Sequence, residues 1–256
     1  MSKFIHKLNR VSQVAPSPMG FMAKPTSEKS KILLIASLTQ LNANNLVDYV
    51  AGADAGLIHV SALNSGIEVL QEIQQTVSDI PWGLWLGDTR SKGIKQLAKI
   101  DSDFIVFPAV NTPLAILQND KTGKILEVEA SLDEGLLRTV DELPVDAVLL
   151  AGEKGEPNFL TWRHIMRFQR FAYLLAKPLL VSIPPRVTIN ELQTIWEAGV
   201  DGVIVEVGDG QPTDRLKKLR QIIDKLDLPS QRKQTEALLP YIGQDRHTEA
   251  TEEEDE

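Results

Sequence analysis

Short apolar runs rich in branched residues recur along this chain, separated by stretches whose apolar positions return every three or four residues. The runs are KILLIAS at 31–37, GLIHVS at 56–61, WGLWLG at 82–87, FIVFP at 104–108, ILEVEA at 125–130, AVLLA at 147–151, LLVSI at 179–183 and VIVEV at 203–207. A continuous apolar run bounded by turn residues suits a strand buried on both faces, as in a parallel sheet. The intervening periodicity predicts helices over 41–51, 66–77, 92–100, 133–143, 160–175, 188–198 and 214–226, with a short one at 113–118.

Residues 177–207 show the unit most clearly. Pro178 opens an apolar strand, Thr188 and Glu191 have the spacing of a capping box, and Ile189, Leu192, Ile195 and Trp196 fall on one helical face. Gly199 ends the helix and a second strand follows. Strand, crossover helix and strand form a right-handed parallel unit. Eight strand–helix pairs in about 200 residues predict a closed (β/α)8 TIM barrel. A second pattern supports it. Strands two, four, six and eight are entered through Asp54, Asp103, Asp146 and Asp201, at intervals of roughly 50 residues, whereas strands three and seven are entered through Pro81 and Pro178.

The ends read differently. Residues 1–30 contain Pro16, Pro18 and Pro25, and Phe4, Ile5, Leu8 and Val11 fit one face of a short helix, predicting an N-terminal arm packed over one end of the barrel. The barrel is expected over 31–228, a short extension over 229–242 and a disordered acidic tail over 243–256, where the chain closes in EEEDE.

Composition narrows the chemistry. The 256 residues carry a formal net charge of −8, with no dense basic block, so nucleic acid is not expected as a partner. With no cysteine, disulfides, thiolate metal sites and cysteine nucleophiles are excluded. No apolar run approaches a membrane span and no signal-peptide core opens the chain, so a cytoplasmic protein without membrane association is expected. His6, His59, His164 and His247 do not fall at metal-binding spacings, and dinucleotide and phosphate-loop glycine fingerprints are absent, so neither metal nor cofactor is expected.

Barrel sites lie where the strands end. Glu206 stands out there as a carboxylate in an otherwise apolar strand, the candidate general base, with pairing to Arg186 or Arg215 at the rim as the plainer role. Asp88 and Arg90 after strand three, Ser182 and Arg186 after strand seven, and Gly208 and Gly210 after strand eight are the candidate substrate-binding residues. Thr39, Ser61, Asn64, Ser131, Glu153 and Asp209, with Ser37, Asn111, Glu129 and Lys154, complete the polar strand-end set.

The entrances AGADAGLIHVSA at 51–62 and AGVDGVIVEV at 198–207 resemble those of aldolase-type barrels, nearest to the ribulose-phosphate-binding group that includes thiamine phosphate synthase and indole-glycerol-phosphate synthase. The resemblance implies the fold. It does not carry a reaction, because the group's phosphate-gripping glycine turns after strands seven and eight are replaced by Ser182-Ile183-Pro184-Pro185 and Val207-Gly208-Asp209-Gly210. Two readings therefore stand: a metal-independent lyase- or isomerase-type enzyme for a small anionic metabolite, or a catalytically silent barrel used for binding or as a scaffold. Either leaves a homo-oligomer open.

Overall fold

A computed structural model describes residues 2–12, 32–38, 46–60, 63–87, 101–152, 155, 157–184, 186–208 and 212–226. Eight strands, β1 (Leu33–Leu38), β2 (Ala55–Val60), β3 (Trp82–Leu86), β4 (Phe104–Pro108), β5 (Gly123–Val128), β6 (Ala147–Leu150), β7 (Leu179–Ser182) and β8 (Gly202–Val207), follow chain order around a closed parallel ring. β8 returns to β1 with Glu206 in register with Ser37. The fold is the (β/α)8 TIM barrel. The described helices are α1 (Lys3–Ser12), α2 (Leu46–Val50), α3 (Leu63–Thr76), α4 (Glu134–Thr139), α5 (Trp162–Leu174), α6 (Ile189–Glu197) and α7 (Arg215–Lys225), with a 3-10 turn at Leu114–Gln118. None of them is long and apolar enough to cross a membrane.

Because side chains alternate along a strand, each strand feeds two cores. Ile35, Leu57, Val106, Ile125, Leu149, Leu180 and Ile204 fill the barrel interior. Leu34, Ile58, Leu84, Val148, Val181 and Val203 pack outward against the helices. This double burial explains why the strands read as continuous apolar runs rather than as alternating ones.

The entrance aspartates show why the even-numbered strands begin as they do. Asp54, Asp146 and Asp201 each form a reciprocal pair with the preceding strand. The Asp54 amide donates to the Leu34 carbonyl (2.7 Å) while the Leu34 amide donates to the Asp54 carboxylate (2.9 Å). The same pair joins Asp146 to Lys124 and Asp201 to Leu179. Each carboxylate thus satisfies an amide at the ragged lower edge of a buried sheet, where an unpaired donor would be costly. Asp103 keeps the first half of the device, its amide donating to the Trp82 carbonyl. Its carboxylate instead accepts from the Ser2 hydroxyl (2.7 Å) and the amides of Lys3 (2.7 Å) and Phe4 (2.9 Å). It therefore caps α1 from a distant part of the chain. The proline entrances supply acceptors: the Pro81 and Pro178 carbonyls take amides from Gly56 and Val148.

Anchored this way, α1 stoppers the amino end of the barrel. Phe4, Ile5 and Leu8 are buried within the interior cluster, and the Phe4 ring lies 4.5 Å from that of Phe104. Gly123 is required for the close approach, since a Cβ there would sit 2.4 Å from Ile5.

The helix signals fare well, with instructive shifts. Thr188 and Glu191 form the capping box of α6, and Gly199 follows the helix at φ +89°. Leu192, Ile195 and Trp196 are buried, but Ile189 is 50% exposed, because at the first helical position it lies over the rim rather than against the barrel. On α5, Thr161 caps and His164 takes the place a glutamate usually has, its Nδ1 accepting from the Thr161 amide at 2.9 Å. β5 lies two residues earlier than its apolar run suggested. Gly123 and Lys124 pair with β4 despite their composition, because the register against Phe104 and Ile105 begins there. The predicted helix at 41–51 is described only from Leu46, and the predicted helix at 92–100, the extension at 229–242 and the acidic tail lie outside the described residues.

Candidate functional site

The interior changes character at its carboxyl end. Below, the inward positions are Leu, Ile, Val, Ala, Phe and, on β3, Gly83; one step up, the same faces of the strands carry Ser37, His59, Trp85, Glu127, Ser182 and Glu206. Each lies two residues beyond an inward position, so period-two alternation aims all six at the mouth. The sheet register sets Ser37 beside Glu206 and His59 beside Trp85.

Two contacts organise the layer. The His59 and Trp85 rings lie 4.2 Å apart, tilted by 31°. The Trp85 indole N–H donates to Glu127 Oε2 at 2.7 Å. A chain of contacts therefore runs from β2 through β3 to β5. Across the ring, Glu206 reaches solvent at the end of β8. Arg215, in the first turn of α7, sits within electrostatic range of it and donates to its backbone carbonyl at 3.5 Å. The plainer role foreseen for Glu206, a rim carboxylate near Arg215, thus has a geometric counterpart; Arg186 is exposed beyond β7.

The titrating groups are pushed in opposite directions. Loss of water around His59 lowers its pKa below the usual 6.5, against the opposing pull of Glu206. His59 stays exposed at the strand end, and its partial loss of water favours the neutral ring. Burial raises Glu127 above the usual 4.5; the Trp85 hydrogen bond opposes this and the Glu129 charge adds to it. Burial lowers Arg215, while Glu206 favours its charged form. Ser37 is fully buried, and its hydroxyl has no hydrogen-bond partner among the described residues. A buried hydroxyl left unmatched beside a polar layer is what a water or a ligand would satisfy.

Of the residues singled out from sequence, Glu206, Ser182 and Gly208 lie at the carboxyl ends of β8 and β7, around the mouth. Asp88, Arg90 and Gly210 lie outside the described residues, as does Lys154. Asn111 sits in an exposed turn after β4. Sequence reasoning missed Glu127 and Trp85 and passed over His59. Placing the fifth strand two residues late put Glu129, rather than Glu127, at the strand end. His59 was weighed only as a metal ligand, although its step of two from Leu57 already assigned it to the inward face. An open cavity of about 600 Å³ lies at the opposite end, between α1 and the entrances of β3 to β5. It is lined by Lys3, Gln74, Asp101, Asp103 and Lys121 among others, and brings together none of the groups whose titration is shifted.

Architecture and mouth together define a TIM-barrel protein with a polar, titratable layer at the strand ends. Solved structures share the architecture. Thiamine phosphate pyrophosphorylase from Pyrococcus furiosus is similar over 75% of this chain and 96% of its own, with 13% identity and a TM-score of 0.56. Orotidine 5'-phosphate decarboxylase from Pyrococcus horikoshii is similar over 75% and 100%, with 12% identity and a TM-score of 0.56. A mutant tryptophan synthase alpha-subunit from Pyrococcus furiosus is similar over 76% and 97%, with 13% identity and a TM-score of 0.59. These likenesses show the fold, a (β/α)8 TIM barrel. No protein-family model and no curated protein matches the sequence.

Proposed function

We propose that the protein is an enzyme performing acid–base chemistry on a small anionic metabolite at the carboxyl ends of the strands, in the manner of a lyase or isomerase. The observation that carries this is the gathering of His59, Glu127 and Glu206 in one layer at the strand ends. Burial favours the uncharged forms of His59 and Glu127, while Glu206 reaches solvent at the end of β8. Titratable groups with shifted pKa values gathered at the strand ends mark a candidate acid–base site. In this reading Glu206 takes a proton from carbon or oxygen, Glu127 holds the proton to be returned, and neutral His59 donates a hydrogen bond to the charge that develops. Ser37 orients the substrate. Arg186, Ser182 and Gly208, together with Asp88, Arg90 and Gly210, receive its polar and anionic groups. Two of the similar enzymes have phosphate compounds in their names, which supports a phosphorylated substrate class by fold analogy.

A thermal-shift screen of phosphorylated and carboxylated metabolites, followed by turnover assays on each stabilising compound, tests the proposal. A substrate turned over by the native protein, with kcat reduced about 100-fold or more in Glu206→Gln, is the expected result. Unchanged turnover in both Glu206→Gln and Glu127→Gln would sink it. A binding barrel without catalysis is the second reading, favoured by the Trp85 hydrogen bond that already engages Glu127. It predicts stabilising ligands recovered unaltered after prolonged incubation.

A further inference from the structure

The outward face of α5 is apolar where a barrel helix normally meets water. Trp162, Met166 and Tyr173 are 83%, 70% and 69% exposed. Their spacing of four and seven residues places them on one helical stripe. Phe159, just before the helix, is 61% exposed, and Leu136 on neighbouring α4 is 56% exposed. Arg170 ties the two helices, approaching Glu134 at 3.8 Å and donating to the Leu132 carbonyl at 3.1 Å. The three aromatics alone leave roughly 300–500 Å² uncovered, the size of the largest apolar patch on a typical monomer, which is often functional. With Met166 and Leu136 the surface approaches the ~800 Å² that each partner of a standard interface buries.

We propose that this face is a self-association surface, and that a second copy of the chain docks on it with the two α5 helices antiparallel across a two-fold axis. Twofold pairs are the commonest closed assemblies, and they need one self-complementary patch. The stripe meets that need. An axis through its middle, between Met166 and Gln169, lays Trp162 of each copy over Tyr173 of the other. Charge complements the shape. α5 begins with exposed Arg163 and contains no acid. At its far end, Asp141 accepts the amides of Ala176 and Lys177 (2.9 Å and 3.2 Å), which places exposed Glu142 beside that end. Antiparallel docking brings Arg163 of each copy toward Glu142 of the other, a favourable pairing at the rim.

Sedimentation velocity of the full chain from ~1 to ~100 μM tests this. The expected result is a concentration-dependent dimer. Met166→Arg, at the axis, should raise the dissociation constant about tenfold or more with unchanged circular dichroism and melting temperature. Val110→Ser, in an exposed apolar position elsewhere, should leave it unchanged. Arg163→Glu should weaken the dimer about threefold, and adding Glu142→Arg should restore it. A chain that stays monomeric at the highest concentration overturns the second copy as occupant and leaves the face to a different protein or to residues 227–256 of the same chain. A dimer indifferent to Met166→Arg places the interface elsewhere and equally overturns the proposal.

Discussion

The two ends of the barrel treat polar side chains in opposite ways. At the amino end, the four entrance aspartates are engaged by backbone amides, and α1 seals the interior with Phe4, Ile5 and Leu8. At the carboxyl end, Ser37 is buried without a partner among the described residues, and burial disfavours the charged forms of His59 and Glu127. The first arrangement stabilises the fold. The second costs stability, and it places groups where they can act on something else. A protein close to its stability threshold retains such groups where function needs them.

Substitutions at the two ends should therefore differ in size and in sign. Phe4→Ala should have the largest effect, destabilising by about 3–5 kcal/mol in denaturant unfolding, because it empties the seal of the interior. An effect below ~1 kcal/mol would mean that α1 is not part of the core. Asp201→Ala comes next, at about 1–3 kcal/mol, since the buried Leu179 amide loses its acceptor; Asp201→Asn retains an acceptor and should cost less. Asp103→Ala removes the cap of α1 and should cost about 1 kcal/mol, with amide exchange accelerated chiefly in residues 3–12.

The smallest effects, at the mouth, should show in the pH dependence rather than in the midpoint. Glu127 has a raised pKa when folded, so above about pH 4.5 the native state holds the extra proton, and stability falls as pH rises through the folded value. His59 has a lowered pKa when folded, so below about pH 6.5 the unfolded state binds the extra proton, and stability falls as pH drops toward the folded value. Between these limits the two slopes oppose each other. Glu127→Gln should leave stability rising with pH through that window and should raise it at neutral pH. His59→Gln should leave it falling with pH. Thermal melts of the two variants across the window check both signs, and parallel profiles would mean that the mouth is as well solvated as an ordinary surface.

What could be read from sequence followed from local rules. The apolar runs, the Thr188–Glu191 capping box and Gly199 report on backbone needs that neighbouring residues meet, so eight strands, and from them the barrel, could be derived in advance. Glu206 and Ser182 could be placed at strand ends by the same logic. Glu127 could not, because the start of β5 depends on its register against β4, and a slip of two residues hides which carboxylate ends the strand. The meeting of His59 with Trp85, the bond from Trp85 to Glu127, and the cap that Asp103 provides to a helix about one hundred residues away join distant segments. Closing the ring creates those contacts. The sequence by itself determined the barrel and the period-two alternation of inward and outward faces, since both are encoded in spacing along the chain. Only the tertiary structure decided which inward residues share a layer and which lose their water, because desolvation and hydrogen bonding depend on neighbours brought in from other strands.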